Sequence, residues 1–188
     1  MSTGQSPKVE AYDGYLFAVL RGADAEVDFF VTPNALVSVH RQESKPIANL
    51  VDNARHHATW MAEGPVALFH RAADAVIDGV RPEIERVRAG IDALEAQVFD
   101  KASPAVVRDL LTVRGEVFTL GRTSAAQRDA IERLARREFV DISTEMSFRF
   151  RDVYDHLVRI ADEAAALDHR LAGLLTAASS LAGGRRWI

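Results

Sequence analysis

Three segments of this chain share one apolar rhythm, and that rhythm restricts the fold more than anything else in it. Ile84, Val87, Ile91, Leu94 and Val98 recur three or four residues apart. Val106, Leu110, Val113, Val117 and Leu120 do the same, and so do Phe150, Val153, Leu157, Ile160, Ala164, Leu167, Leu171 and Leu174. Side chains at such spacing lie along one side of an α-helix. Each segment is therefore predicted to be a long helix with one apolar seam, and such seams pack helix against helix. The Phe150–Leu174 seam is longer than a small sheet can cover. Part of it should be buried against another helix or another protomer.

Punctuation residues set the boundaries. Gly64-Pro65 opens a helix expected to run to about residue 101, kinked where Pro82 removes an N–H donor. Ser103-Pro104 is an N-cap followed by proline at the first helical position, predicting a second helix over about 103–138. A third is expected over 147–182, stopped by Gly183-Gly184. Upstream the period changes. Tyr15–Leu20 is apolar and β-prone, Glu26–Val31 alternates, and Ala35–His40 carries Val37 and Val39 on one face. These predict three strands near 15–20, 26–31 and 35–40, antiparallel because their connections are short. Residues 46–58 read as a short helix. The expected fold class is α+β: a small, mostly antiparallel sheet packed against three long helices. The expected divisions are a small α/β portion over 1–62, a helical portion over 63–182 and a tail over 183–188.

Composition narrows the function. Of 188 residues, 48% are hydrophobic and 27% charged, enough to build a core. A net charge of −4 argues against nucleic-acid partners, which are held by basic surface. There is no cysteine, so disulfides, thiolate metal sites and cysteine nucleophiles are excluded. The start has neither the basic nor the apolar region of a secretory signal. The longest weakly polar stretch, 171–182, is shorter than the roughly 20 residues a membrane helix needs. No phosphate-binding glycine loop, nucleophile elbow or zinc-protease motif occurs, so no enzyme is predicted.

One octet carries candidate chemistry: Phe150-Arg151-Asp152-Val153-Tyr154-Asp155-His156-Leu157. It sets Asp152, Asp155 and His156 close together on one helical surface. Oxygen and imidazole ligands so arranged suit a divalent ion, but one helix cannot complete its shell. Salt bridges from Arg149 to Asp152, from Arg151 to Asp155 and from Asp155 to Arg159 account for the same residues without a ligand. Asp74 and Asp78, four apart on another helix, are candidates for the missing carboxylate; a polar stripe explains them equally. His56-His57 are adjacent, so they point about 100° apart and read as surface. His40, His70 and His169 lack partner spacing, and the Arg133, Arg136, Arg137 cluster reads as ion-paired.

The octet resembles the start of the long stalk helix of the CorA family of magnesium and divalent-metal transporters. The resemblance extends in unbroken order over roughly residues 7–182. Pro7–Phe17 is similar to the family's segment leading into a sheet strand, and Glu26–His40 to its strand pair. Ala73–Asp78, Pro82 and Ile91–Glu95 are similar to its first long helix, and Gln127–Asp129 and Leu134–Arg136 to the next. The resemblance implies a CorA cytoplasmic-domain fold. It implies a regulatory, divalent-cation-sensing part of a transporter, unable to conduct ions by itself. The family's N-terminal α/β portion, both membrane helices and its Gly-Met-Asn signature are expected to be missing from this chain.

In the family, cytoplasmic domains form a pentameric funnel that ions between protomers bias toward closure. Asp152 matches a stalk aspartate of that sensing site, Asp74 matches a second carboxylate, and His156 lies one turn from Asp152. The resemblance thus implies a metal site of Asp152, Asp74 and His156, with Asp155 and Asp78 as weaker members. It would take Mg2+, with Zn2+, Co2+ and Ni2+ open. A homo-oligomer is expected, a pentamer as in the family or a dimer, with a full-length transporter as the other partner. The expected location is cytoplasmic, at the inner face of the cell membrane when part of a transporter. The alternative is a metal-independent helical interaction module with the same fold.

Overall fold

The computed structural model describes residues 5–101 and 103–184. The fold is α+β, in the order β1 (Lys8–Tyr12), β2 (Tyr15–Arg21), β3 (Glu26–Val31), β4 (Leu36–His40), α1 (Lys45–His56), α2 (Ala58–Ala62), α3 (Pro65–Asp78), α4 (Arg81–Lys101), α5 (Pro104–Ala135) and α6 (Thr144–Gly184). The strands pair antiparallel in chain order.

The sheet has four strands where three were expected. The extra strand, β1, is joined to β2 by Asp13-Gly14, and Tyr12 pairs directly with Tyr15. Gly14, the second residue of that turn, sits at φ +83°, a conformation glycine takes without strain. Asp-Gly between apolar residues is itself a hairpin signal, and it marks the strand that alternation alone misses. Val27, Phe29 and Val31 face the core from β3, as their alternation requires.

The helix expected over 64–101 is two helices. Pro82 has no N–H to give the carbonyl four residues earlier, and its ring collides with that carbonyl. The chain turns at Gly79-Val80, with Gly79 bonded back to Ala75 and Val80 to Ile77. Gly79 also permits close packing, since a Cβ there would stand 3.2 Å from the Pro46 ring. Pro82 then falls in the first turn of α4, where its missing donor costs nothing. The third long helix starts at Thr144, three residues earlier than expected. The Ser143 hydroxyl accepts from the Met146 N–H, so Ser143 is its cap. Its end also differs: the helix includes Gly183 and Gly184, and the remaining tail, 185–188, lies outside the described residues. The second helix opens as expected, with the Ser103 hydroxyl accepting from the Val106 N–H.

The chain divides into two compact units, each made of separate stretches. The first comprises residues 1–81 and 123–158. Its core is a run of tilted rings, Phe29 to Phe69 at 5.3 Å and Phe69 to Phe150 at 5.7 Å, linking β3, α3 and α6. Ile77, Ile131, Leu134, Val153 and Leu157 fill in around them. Gln127, 1% exposed, accepts the Arg21 backbone N–H and ties the sheet to α5. The second unit comprises residues 82–122 and 159–188. Within it Ile84, Val87, Ile91, Leu94 and Val98 are buried, as are Val106, Leu110, Val117 and Leu120, and Ile160, Ala164, Leu167, Leu171 and Leu174. Arg88 pairs with Glu163, Arg114 with Asp168, and Arg170 with Asp92 and Glu95. All eight seam residues of α6 are buried within the single chain, so the seam itself offers no face to a second protomer. Among the described residues, no helix is long and apolar enough to cross a membrane.

Candidate metal centre

The site lies in the first unit, where the last turns of α3 meet the first part of α6. On α3, His70, Asp74 and Asp78 stand four residues apart and form one stripe. On α6, burial of Val153 and Leu157 turns His156 inward, leaving it 8% exposed. Asp74, Asp78 and His156 each offer one ligand atom, all within 4.8 Å of one another.

The contacts are specific. His156 Nδ1 lies 2.9 Å from Asp78 Oδ1, and the Arg81 guanidinium approaches Nε2 at 3.5 Å. A guanidinium only donates, so Nε2 accepts and the Nδ1 proton goes to Asp78. Arg81 holds this position because the break before Pro82 starts α4 there. His70 donates from Nε2 to the Arg149 carbonyl at 3.1 Å, while its Nδ1 is buried without a partner. Burial holds the His70 pKa below the ordinary histidine value, against the opposing influence of the carbonyl and Asp74. Asp74 is pushed up, first by burial and then by Asp78, with Asp152 adding to the rise and both histidines opposing it. A half-buried carboxylate with two acidic neighbours is a place where added positive charge stabilises the fold.

The predicted residues therefore divide. Asp74, Asp78 and His156 converge. Asp152 and Asp155 point to solvent and stay outside the group, although Asp152 is near enough to act on Asp74 electrostatically. The salt bridges expected around them do not form among the described residues. Arg149 instead bridges Glu63 and Glu145, and Arg151 lies over the Phe148 ring. His56 and His57 are exposed and bond to backbone carbonyls of their own helix. Arg133 and Arg136 pair with Glu138 and Glu132, as their cluster suggests. Sequence reasoning overlooks Arg81 and sets His70 aside, yet both act on the group, Arg81 by contact with His156 and His70 through its influence on Asp74. The four-residue spacing of His70, Asp74 and Asp78 is a legible signal for one of them; nothing local marks Arg81.

Two carboxylates and an imidazole suit a divalent cation with water completing its shell. The imidazole favours Zn2+, Co2+ or Ni2+ over Mg2+. For a cation to bind at Nδ1, the proton there must leave. A neutral ring then carries its hydrogen on Nε2, which faces a donor, so Arg81 has to swing away. The metal-free contacts and the ion compete for the same nitrogen.

Comparison with known proteins agrees with this fold. The chain is 24% identical over 186 residues to the cobalt/magnesium transport protein CorA of Thermotoga maritima, covering 93% of this chain and 53% of that one. It thus spans about half the length of the curated relatives it matches. The solved soluble domain of CorA from Methanocaldococcus jannaschii superposes with a TM-score of 0.82 at 17% identity, covering 94% of this chain and 74% of that one. The cytoplasmic domain of ZntB from Vibrio parahaemolyticus does so at 0.78 and 14%, covering 97% and 76%. The model of the CorA-like Mg2+ transporter protein family matches residues 1–185, and the chain belongs to that family.

Proposed function

We propose that this chain is the divalent-cation-sensing regulatory part of a CorA-like metal transporter, acting at the inner face of the cell membrane and unable to conduct ions by itself. The convergence of Asp74, Asp78 and His156 carries the reading. Two acids and a buried imidazole meet where the acids otherwise repel. The metal class named for the Thermotoga relative, cobalt and magnesium, falls within the range such ligands take. In this reading the chain works as a homo-oligomer with a full-length transporter, and Asp152 adds its charge at the rim of the site.

Titration with MgCl2, CoCl2 and ZnCl2, followed by thermal melting against a chelated control, tests it. Each ion that binds the native state raises Tm. Asp74→Ala and Asp78→Ala should remove most of the rise for all three ions. His156→Ala should cut the Co2+ and Zn2+ effects more than that of Mg2+. Asp152→Ala should weaken the response without abolishing it. Every variant is compared with and without ion, because loss of the Asp74–Asp78 repulsion itself stabilises the metal-free protein. Equal gains for wild type and Asp74→Ala would remove the site. That result would favour a metal-independent interaction module, a reading supported by the Asp78–His156–Arg81 contacts, which satisfy His156 with no ion.

A further inference from the structure

The two edges of the sheet are treated differently. An edge strand directs alternate backbone N–H and C=O groups outward, where another strand can pair with them. On β1 that edge is guarded: Arg133 of α5 donates to the Val9 carbonyl at 2.6 Å, and Lys8 and Glu10 put charge on the strand. On β4 it is open. Its sequence, Leu36-Val37-Ser38-Val39-His40, holds no proline, lysine or acid. Among the described residues, its backbone groups bond to nothing but β3. Val37 and Val39 are 49% and 51% exposed, on the face where the tilted rings of Phe17 and Phe30 also meet at 5.0 Å. The core side of β4 is already taken by α3.

We infer that β4 pairs antiparallel with β4 of a second copy of this chain, about a dyad at Ser38. The strand is complementary to itself in that register. Val37 falls opposite Val39 of the other copy, Leu36 opposite His40, and Arg41 opposite Ala35. No like charges meet, and cross-strand valine pairs stabilise a ladder. The two four-stranded sheets become one of eight strands, and four exposed valines join the aromatic face into a continuous apolar surface. A second copy suits this edge better than an unrelated strand, because the same short sequence supplies both sides of the match. The inference rests on the self-association proposed above and is independent of its cation site.

The chain has no cysteine, so a single introduced thiol reports one contact. Opposed residues in an antiparallel pair stand about 4.5–5.5 Å apart at Cα, within disulfide range. Oxidised Ser38→Cys should give a covalent dimer at least about tenfold faster than Asn34→Cys, an exposed control in the preceding turn. By sedimentation equilibrium in chelator, wild type should dimerise, and the double variant V37K/V39K should associate at least about tenfold more weakly, since it sets lysine opposite lysine. Both lysines replace exposed residues, so an unchanged circular dichroism spectrum shows that the fold is intact. Association that survives V37K/V39K, with Ser38→Cys no faster than the control, overturns this interface and leaves self-association to another surface. A wild type that stays monomeric at every concentration overturns both.

Discussion

At the scale of single residues, the site stores opposed preferences. His70 is held neutral by burial, so the native state resists adding a proton that the unfolded chain takes up near pH 6.5. Its folded value lies below its unfolded one. The stability it confers is therefore full above the ordinary histidine range and is lost as pH falls through the lower folded value. Denaturant melts at pH 7 and pH 5 should show this loss. His70→Gln keeps an N–H for the Arg149 carbonyl and cannot titrate, so its loss over the same interval should be smaller. The residue types of the site were legible in sequence; their grouping was only half so. Helical spacing ties His70, Asp74 and Asp78 together, and separately Asp152, Asp155 and His156. Which member of the second set turns inward depends on how α6 rolls onto the core, and Val153 and Leu157 decide that. Arg81 owes its place to a helix break two residues away.

At the scale of elements, periodicity identified each long helix, while caps and breakers set its limits. Pro82 predicts a kink and is instead a start, because the glycine three residues before it lets the chain stop cleanly and come close to Pro46. Ser143 caps a helix whose apolar seam begins only at Phe150, so the seam does not announce it. Its hydroxyl takes up one of the orphan N–H groups of the first turn. Ser143→Ala should cost about 1 kcal/mol in global stability, and Ser143→Asp should restore most of it, both read from urea melts. A cost near zero would mean that water or a neighbouring group serves the Met146 N–H equally well.

At the scale of the whole molecule, a cation held at the proposed site would act on a small margin. An ion at about 100 times its Kd adds about 2.7 kcal/mol to native-state stability. For a chain of this length, about 2–4 °C of Tm accompanies each kcal/mol. Saturating Co2+ or Zn2+ should therefore raise Tm by about 5–10 °C, a shift that differential scanning calorimetry resolves. Mg2+ should give less at equal concentration, as a ligand set with one imidazole favours the softer ions.

The interleaving of the two units has a consequence for synthesis. Each unit is assembled from one early and one late stretch of chain. A ribosome that has released residues up to 122 has made the first stretch of each and completed neither. At that point Phe29 and Phe69 wait for Phe150, Arg21 waits for Gln127, and the carbonyl of Val9 waits for an arginine 124 positions downstream. Contacts so distant in sequence form late and leave apolar surface open in the interval. The nascent polypeptide therefore needs its final third before either core can close, and a ribosome stalled near that point would present chaperones with an unguarded sheet.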